Sequence, residues 1–276
     1  MPDRGNPPLE RLVVAAQGGD GVSLERLVLS IRGQVYRLSL RMTGCPQDAE
    51  DATQDVLIRV ITRLSGYRGD AAFTTWVHRV TVNYLLDRAK SPVERMELTF
   101  ERFGEDLLVG LSAGPSAAPD APLLERELQL ACTHAVLTCL DREARIAYIL
   151  GDVIGVDSDE GGYICDVPPA TYRKRLSRAR QRVQRHLAAH CGLVDSAAPC
   201  RCDKQVDGAV ASGRISRDEL RFVDAAAPTE QQISVANDRI AHLYEAGSLL
   251  RSLPPAAVPE RTGERITALL ADSGLT

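Results

Sequence analysis

The fold is decided by the stretch DAEDATQDVLIRVITRLSGYRGDAAFTTWVHRVTVNYLLDRAKS, residues 48–91. It contains no proline, and its apolar residues recur at intervals of three and four, the spacing of one face of an α-helix. The pattern predicts a helix that has Asp48 as its N-cap and runs to Leu64, then a turn, then a helix from Phe73 to about Lys90. One face of the second helix is apolar and is expected to be core: Phe73, Trp76, Val77, Val80, Tyr84 and Leu85.

The composition is that of a folded helical protein. Hydrophobic residues make up 44% of the 276 residues and charged residues 25%, which argues against wholesale disorder. Aromatic residues are only 4%, so the core must be built mainly from aliphatic side chains, which favours packed helices. The sequence shows neither a signal peptide nor an apolar run long enough to cross a membrane, and its seven cysteines are scattered. We therefore expect a protein of the reducing cytoplasm with no membrane association.

Two helical units and an extension follow one another along the chain. The first runs from Leu9 to about Lys90 and is closed by Pro92. The segment LSAGPSAAPDAP, residues 111–122, lacks periodicity and is predicted to be a linker. A second helical unit runs from about Leu123 to His190. Weaker helical patterns follow at residues 204–212, 230–250 and 260–271. The chain is therefore predicted to be all-α, with two small helical domains and a helical C-terminal extension.

A strongly basic helix lies in the second unit, although the formal net charge of the chain is −4. The segment RKRLSRARQRVQR, residues 173–185, holds seven positive residues and no acid. A merely solvated helix usually alternates its charges, so a single-sign block points to phosphate binding. An apolar seam remains for packing: Leu176, Ala179, Val183 and Leu187.

The residues before the basic helix have the layout of a helix-turn-helix unit. A helix over residues 142–153, a loop with Gly155 and a short helix precede a helix that opens at Pro169. The adjacent glycines Gly161 and Gly162 predict that this helix is short or frayed, because each costs about 1 kcal/mol relative to alanine. Four residues near the start of the last helix are expected to face base edges: Thr171, Tyr172, Arg173 and Arg175.

Both units resemble one known family. The segment LDREARIAYILGDVIGVDSDEGGYICDVPPATYRKRLSRARQRV, residues 140–183, resembles the fourth conserved region of the extracytoplasmic-function (ECF) group of bacterial RNA polymerase sigma factors. Residues 48–91 are similar to the second region of that group, with its acidic opening and its conserved polar and aromatic positions: Asp48-Ala49-Glu50-Asp51, Gln54-Asp55, Phe73, Thr75-Trp76 and Asn83. The resemblance covers about residues 8–192.

The resemblance implies a domain layout and a function. Region 2 would occupy residues 8–95, a linker 96–124, region 4 with its helix-turn-helix 125–192, and an extension 193–276. The protein would bind core RNA polymerase and direct promoter recognition and transcription initiation, without being an enzyme and without a cofactor. Its regulator would be either an anti-sigma factor or the C-terminal extension acting within the molecule.

The resemblance also implies binding residues. The set expected to bind core polymerase is Asp48, Asp51, Gln54, Asp55 and Arg59. Acids in a first helical turn complement the helix dipole, but that explanation does not reach Gln54 and Asp55. The set expected to bind the melted minus-ten element is His78, Arg79, Asn83 and Arg88, together with the loop of residues 67–72. The set expected to bind the minus-thirty-five element is Thr171, Tyr172, Arg173, Arg175 and Arg178.

The extension leaves two questions open. Its acids outnumber its bases from Asp195 onward, so it is predicted to regulate the two DNA-binding units without contacting bases; a passive brace for the second domain is the alternative. Cys191, Cys200 and Cys202, with His186 or His190, could hold zinc or copper(I). Their spacing is not that of a standard zinc motif, so free structural cysteines and no metal are the favoured prediction. The other four cysteines are expected to be small core residues: Cys45, Cys132, Cys139 and Cys165.

Two other classes of function explain less of the sequence. A stand-alone helix-turn-helix regulator that binds an operator would explain the basic helix but leaves the first unit without a role. An enzyme is disfavoured because the sequence has no phosphate-binding loop, no paired-histidine metal motif and no nucleophile elbow.

Overall fold

A computed structural model describes residues 9–112 and 114–223. Within these ranges the chain forms α-helices and turns, and apart from one isolated bridge between Cys191 and Cys200 it forms no β-structure. The all-α prediction is therefore confirmed for the described residues. The helical patterns predicted at residues 230–250 and 260–271 lie outside them.

The first unit contains four helices. They are α1 (Leu9–Gln17), α2 (Gly21–Thr43), α3 (Pro46–Arg63) and α4 (Phe73–Asp87). A short 3₁₀ turn follows α3. The prediction that Asp48 caps α3 is wrong: the helix begins at Pro46, whose missing N–H suits the first helical position, and Cys45 is the capping residue. Asp48 lies in the first turn, where its charge still complements the helix dipole.

The core of this unit lies where α2, α3 and α4 pack together. Val35, Val56 and Val77, one from each helix, are completely buried. The end of α2 is set by Gly44, whose φ of 66° is left-handed and whose N–H donates to the carbonyl of Leu40. These apolar faces are the ones that the sequence periodicity predicts.

Two helices occupy the connection between the units. They are α5 (Pro92–Arg95) and α6 (Phe100–Leu108). All of α6 lies in the stretch expected to be a linker, residues 96–124. It forms because Thr99 caps it and because Phe100, Phe103 and Leu107 bury one of its faces.

The second unit contains four more helices. They are α7 (Ala121–Thr138), α8 (Arg142–Tyr148), α9 (Ser158–Cys165) and α10 (Pro169–His190). A π-helical turn over Ile149–Ile154 continues α8 and ends at Gly155, which has a φ of 90°. The apolar seam predicted for α10 is buried.

The two adjacent glycines of α9 allow a close helix contact. A Cβ atom at Gly161 would overlap the ring of Tyr172, and one at Gly162 would lie 2.9 Å from the carbonyl oxygen of Val167. Both glycines are buried, and α9 forms a regular helix of eight residues. The helix is short, as predicted, but regular, because packing against α10 offsets the low helix propensity of glycine.

The described part of the extension is built into the fold. Helix α11 (Cys202–Ala211) packs against α7. A second, smaller core forms there from Leu124, Leu128, Val206, Ala209 and Ile215. Glu127 of α7 accepts the backbone N–H groups of three successive residues near the end of the described chain: Arg221, Phe222 and Val223. No helix within residues 9–112 and 114–223 is long and apolar enough to cross a membrane.

Candidate functional site

The exposed face of α3 carries the predicted acidic set. Asp51 and Asp55 are exposed, whereas Gln54 and Arg59 are partly buried. Asp55 also accepts a hydrogen bond of 2.6 Å from the hydroxyl of Tyr84 on α4, and the Arg59 guanidinium lies 4.7 Å from the centre of the Tyr84 ring. Burial, and then the bond to Asp55, raise the pKa of Tyr84 to about 12, so its hydroxyl keeps its proton at neutral pH. The C-terminal half of this face, which contains Asp55 and Arg59, is thus held in place by Tyr84 of α4.

Two residues predicted for different interfaces form one ion pair. Arg88, just after α4, donates to a carboxylate oxygen of Asp48 on α3 at 3.3 Å, and both side chains are largely buried. The pair joins the start of α3 to the end of α4.

The residues predicted to read the minus-ten element divide into exposed and packed ones. Asn83 is exposed on α4. His78 is only 8% exposed, so its side chain is not available to DNA in this arrangement. Burial lowers the pKa of His78, although Glu160 acts in the opposite direction, so the imidazole is neutral at pH 7.

Helix α4 is in contact with α9 of the second unit. The Arg79 guanidinium donates to the carbonyl oxygen of Tyr163 at 3.1 Å, pairs with Asp166 at 2.8 Å and lies over the Tyr163 ring. Beside it, the Thr75 hydroxyl donates to Glu160 at 2.6 Å. Arg79, predicted to bind DNA, is therefore engaged with the other helical unit.

A cleft of about 410 Å³ lies between α1 and the loop of residues 67–72. Tyr67, Arg68 and Phe73 line it on one side, and Glu10 and Gln17 of α1 on the other. The Gln17 amide donates to the carbonyl oxygens of Leu64 and Tyr67, which fixes the loop against α1. Phe73 is buried as expected, and Trp76 packs on it with ring centres 5.6 Å apart.

At the start of α10 the predicted base-reading residues differ in exposure. Arg173 and Arg178 are exposed, Thr171 is partly buried, and Arg175 forms a 2.7 Å ion pair with Glu143 of α8. The expectation that Tyr172 faces base edges is contradicted, because this side chain is fully buried. Its hydroxyl donates to the carbonyl of Ala147 and its ring packs on Gly161.

Sequence reasoning missed the polar centre that joins the two units. Glu94 of α5, with 4% of its side chain exposed, pairs with Arg142 at 2.9 Å and with Arg145 at 3.1 Å. Burial opposes the charge of Glu94, but hydrogen bonds from Arg142 and Ser91 outweigh it and lower its pKa. Arg145, itself buried, also donates to four backbone carbonyls: those of Leu137, Met42, Thr138 and Leu140. The only sequence signal was a Ser91 and Glu94 pair at capping-box spacing.

The three cysteines considered for metal binding lie together. Cys191, Cys200 and Cys202 line one apolar cavity. Cys132 of α7, expected to be an ordinary core residue, lines the same cavity.

Comparison with known proteins shows similarity to RNA polymerase sigma factors. The model of sigma-70 region 2 matches residues 27–92, which include all of α3 and α4. The ECF RNA polymerase sigma factor SigE of Mycolicibacterium smegmatis is 33% identical over 169 residues, covering 61% of this chain and 63% of its own length. The RNA polymerase sigma-H factor of Pseudomonas aeruginosa is 27% identical over 186 residues, covering 64% and 93%. The ECF RNA polymerase sigma-E factor of Escherichia coli K12 is 28% identical over 176 residues, covering 62% and 90%. Residues 27–92 are therefore similar to sigma-70 region 2, and about three fifths of the chain is similar to the ECF group of RNA polymerase sigma factors.

Proposed function

We propose that this protein binds core RNA polymerase through the exposed face of α3 and directs it to promoters. The observation that carries the proposal is the region 2 match over α3 and α4, combined with the exposure of Asp51 and Asp55. Exposed like charges on one helix face add little to folding, whereas they suit a basic partner surface. In this role the protein contributes binding and strand separation, and the polymerase contributes the chemistry.

The two helical units divide promoter recognition between them. Region 2, within residues 8–95, takes the minus-ten element, with Asn83 and the cleft beside residues 67–72 holding unstacked bases. Region 4, within residues 125–192, takes the minus-thirty-five element. Its exposed Arg173 and Arg178 contact base edges and phosphates, and Thr171 lies beside them at the N-terminus of α10.

Some predicted residues act on DNA only after a rearrangement. Arg79 is bound to α9, and His78 is buried beside Glu160. Arg175 is paired with Glu143, so it reads a base only by giving up that pair. Tyr172 supports α10 from the core and contacts no base. We infer that promoter binding through α4 separates α4 from α9.

Reconstituted transcription tests the proposal. The full chain with core polymerase should give run-off transcripts from its cognate promoter, and Asp51→Arg should weaken polymerase binding in a pull-down because it reverses an exposed charge on α3. Glu105→Arg is the matched control, since Glu105 is an exposed acid on α6.

The outcomes separate the two candidate classes. Loss of polymerase binding in Asp51→Arg, with binding kept in Glu105→Arg and with equal melting temperatures, supports the sigma-factor role. Specific DNA binding by the full chain with no polymerase binding at all would instead establish the stand-alone regulator. Unchanged binding in Asp51→Arg would exclude α3 as the docking helix.

A further inference from the structure

The seven positive residues of the basic helix α10 differ in what surrounds them. Three of them form ion pairs with acids of the preceding helix α8 and its flanking turns. The pairs are Arg175 with Glu143 at 2.7 Å, Arg180 with Asp152 at 2.5 Å, and Arg182 with Asp141 at 3.8 Å. The other four are exposed and form no ion pair with any residue in the described part of the chain: Arg173, Lys174, Arg178 and Arg185. The helix therefore carries two classes of cation.

Contacts, and not exposure, separate the two classes. Arg180 and Arg182 still have 52% and 46% of their side chains exposed. The Arg180 guanidinium, however, donates through Nε and Nη2 to the carboxylate of Asp152, in the fork geometry of a bidentate pair. The Arg182 guanidinium donates to the carbonyl of Cys139 at 3.4 Å and lies 5.2 Å from the centre of the Phe100 ring. Both arginines are therefore tied to neighbouring parts of the fold.

The four unpaired cations occupy one continuous side of α10, which we call the unpaired face. At 3.6 residues per turn, they fall within about 140° of the helix circumference. Arg180 lies beyond one edge of this face, Arg175 and Arg182 lie beyond the other, and the buried seam lies opposite. The unpaired face is about 18 Å long from Arg173 to Arg185, at a rise of about 1.5 Å per residue. It is therefore longer than the width of the DNA major groove, about 12 Å.

We propose that only the unpaired face of α10 binds DNA phosphates, and that Asp141, Glu143 and Asp152 withhold the other three arginines from DNA. The inference rests on the proposed function, because that function directs α10 to promoter DNA. The length of the unpaired face lets its N-terminal end enter the major groove while Arg185 reaches phosphates beyond the edge of the groove. The three acids are positioning residues, since they act on DNA binding only through the arginines that they hold.

A paired arginine adds little to DNA binding. A free cation strengthens binding because it displaces the counter-ions that are condensed on the phosphates. An arginine beside a carboxylate displaces few of them, because its charge is already balanced and the same phosphates repel the carboxylate. Asp152 has only 12% of its side chain exposed, so it stays beside Arg180 when DNA approaches. The logarithm of the affinity of α10 for DNA should thus fall against the logarithm of the salt concentration with a slope of about −3.6 for four cations, compared with about −6.3 for seven.

The salt dependence of DNA binding by the full chain tests this division. The probe is a duplex DNA of arbitrary sequence, and its affinity is measured between about 50 and about 200 mM salt. Lys174→Gln and Arg185→Gln should each make the slope shallower by about 0.9, which corresponds to a loss of affinity over that range that is about 3.5-fold smaller. Arg180→Gln and Arg182→Gln should leave the slope unchanged.

Removing the acids tests the same inference from the other side. Glu143→Gln and Asp152→Asn should each make the slope steeper by about 0.9, because the partner arginine becomes available to a phosphate. Glu105→Gln is the matched control, since Glu105 is an exposed acid on α6 that forms no ion pair within the described residues. It removes the same charge and should leave the slope unchanged. The melting temperature of each variant shows whether it is folded.

Three results would overturn the inference. The first is a slope that becomes shallower by about 0.9 in folded Arg180→Gln or Arg182→Gln. The second is an unchanged slope in both Glu143→Gln and Asp152→Asn, and these two variants decide the question if the arginine variants do not fold. The third is a full chain that binds no duplex DNA even at the lowest salt concentration. Polymerase binding through α3 is judged separately by the pull-down described above, so failure of this inference and failure of the proposed function are distinguishable.

Discussion

Replacing Glu94 by glutamine should strongly destabilise the protein. The change keeps the size of the side chain but removes its negative charge. Arg142 and Arg145 therefore both lose their counter-ion. Arg145 has only 4% of its side chain exposed, so it would keep a buried positive charge with no counter-ion in this cluster. Breaking such a pair by removing one partner costs about 3–5 kcal/mol. Arg145 would still donate to four backbone carbonyls, so we expect the loss in the free energy of unfolding to lie near the lower end of that range.

Glu97→Gln is the matched control for this change. Glu97 pairs with Lys90 at 3.1 Å, but the two side chains are 76% and 53% exposed, so losing the pair should cost less than about 1 kcal/mol. Urea unfolding of the full chain, followed by circular dichroism, measures both free energies. A loss for Glu94→Gln that is within about 1 kcal/mol of the control would refute the view that this cluster holds the two units together.

Three further predictions concern packing, pH and the extension. Gly161→Ala should destabilise by about 1–3 kcal/mol, because its Cβ would overlap the Tyr172 ring; Gly66→Ala, which meets nothing within 4 Å, is the control, and equal melting temperatures would disprove the packing argument. The pKa of His78 is lowered from its ordinary value of about 6.5. At pH values just below 6.5, the imidazole therefore takes up a proton in the unfolded chain but not in the folded chain. Stability should therefore fall by up to about 1.4 kcal/mol per pH unit as the pH drops below 6.5, and His78→Gln should show a shallower fall in urea titrations; parallel curves would exclude His78 as the cause. A chain that ends at Gly192 loses Val206, Ala209 and Ile215 of the second core and should melt earlier than a chain that ends at Val223; equal melting temperatures would exclude a stabilising role for that core.

Local periodicity was sufficient to predict the main helices. The apolar spacing within residues 48–91 and the seam of α10 identified faces that are buried in the structure. The same signal was present in α6, where Phe100, Phe103 and Leu107 are spaced for one helix face, but the nearby proline-rich residues obscured it. The cap of α3 was predicted three residues late, at Asp48 in place of Cys45, because aspartate is a much commoner capping residue than cysteine.

Contacts between distant residues could not be predicted from local patterns. The burial of Tyr172 depends on Gly161 of α9, and the buried His78 lies on α4, which contacts α9 across the two units. A position near the N-terminus of a recognition helix is compatible with either exposure or burial, and only the tertiary packing decides between them. The meeting of Cys132 with three cysteines of the loop and extension is likewise a property of the fold, because 59 positions separate Cys132 from the nearest of them.

The contact between α4 and α9 has a consequence for promoter strength. If the arrangement in which Arg79 binds Tyr163 and Asp166 excludes DNA, only the fraction of molecules with the two helices apart can bind a promoter. The apparent affinity is then the intrinsic affinity multiplied by that fraction, so each 1.4 kcal/mol in the contact weakens promoter binding about tenfold. Substitutions such as Asp166→Ala, which touch no base, would then strengthen transcription from every promoter of this protein by the same factor. Promoter output would thus be set partly by an interface that never meets DNA.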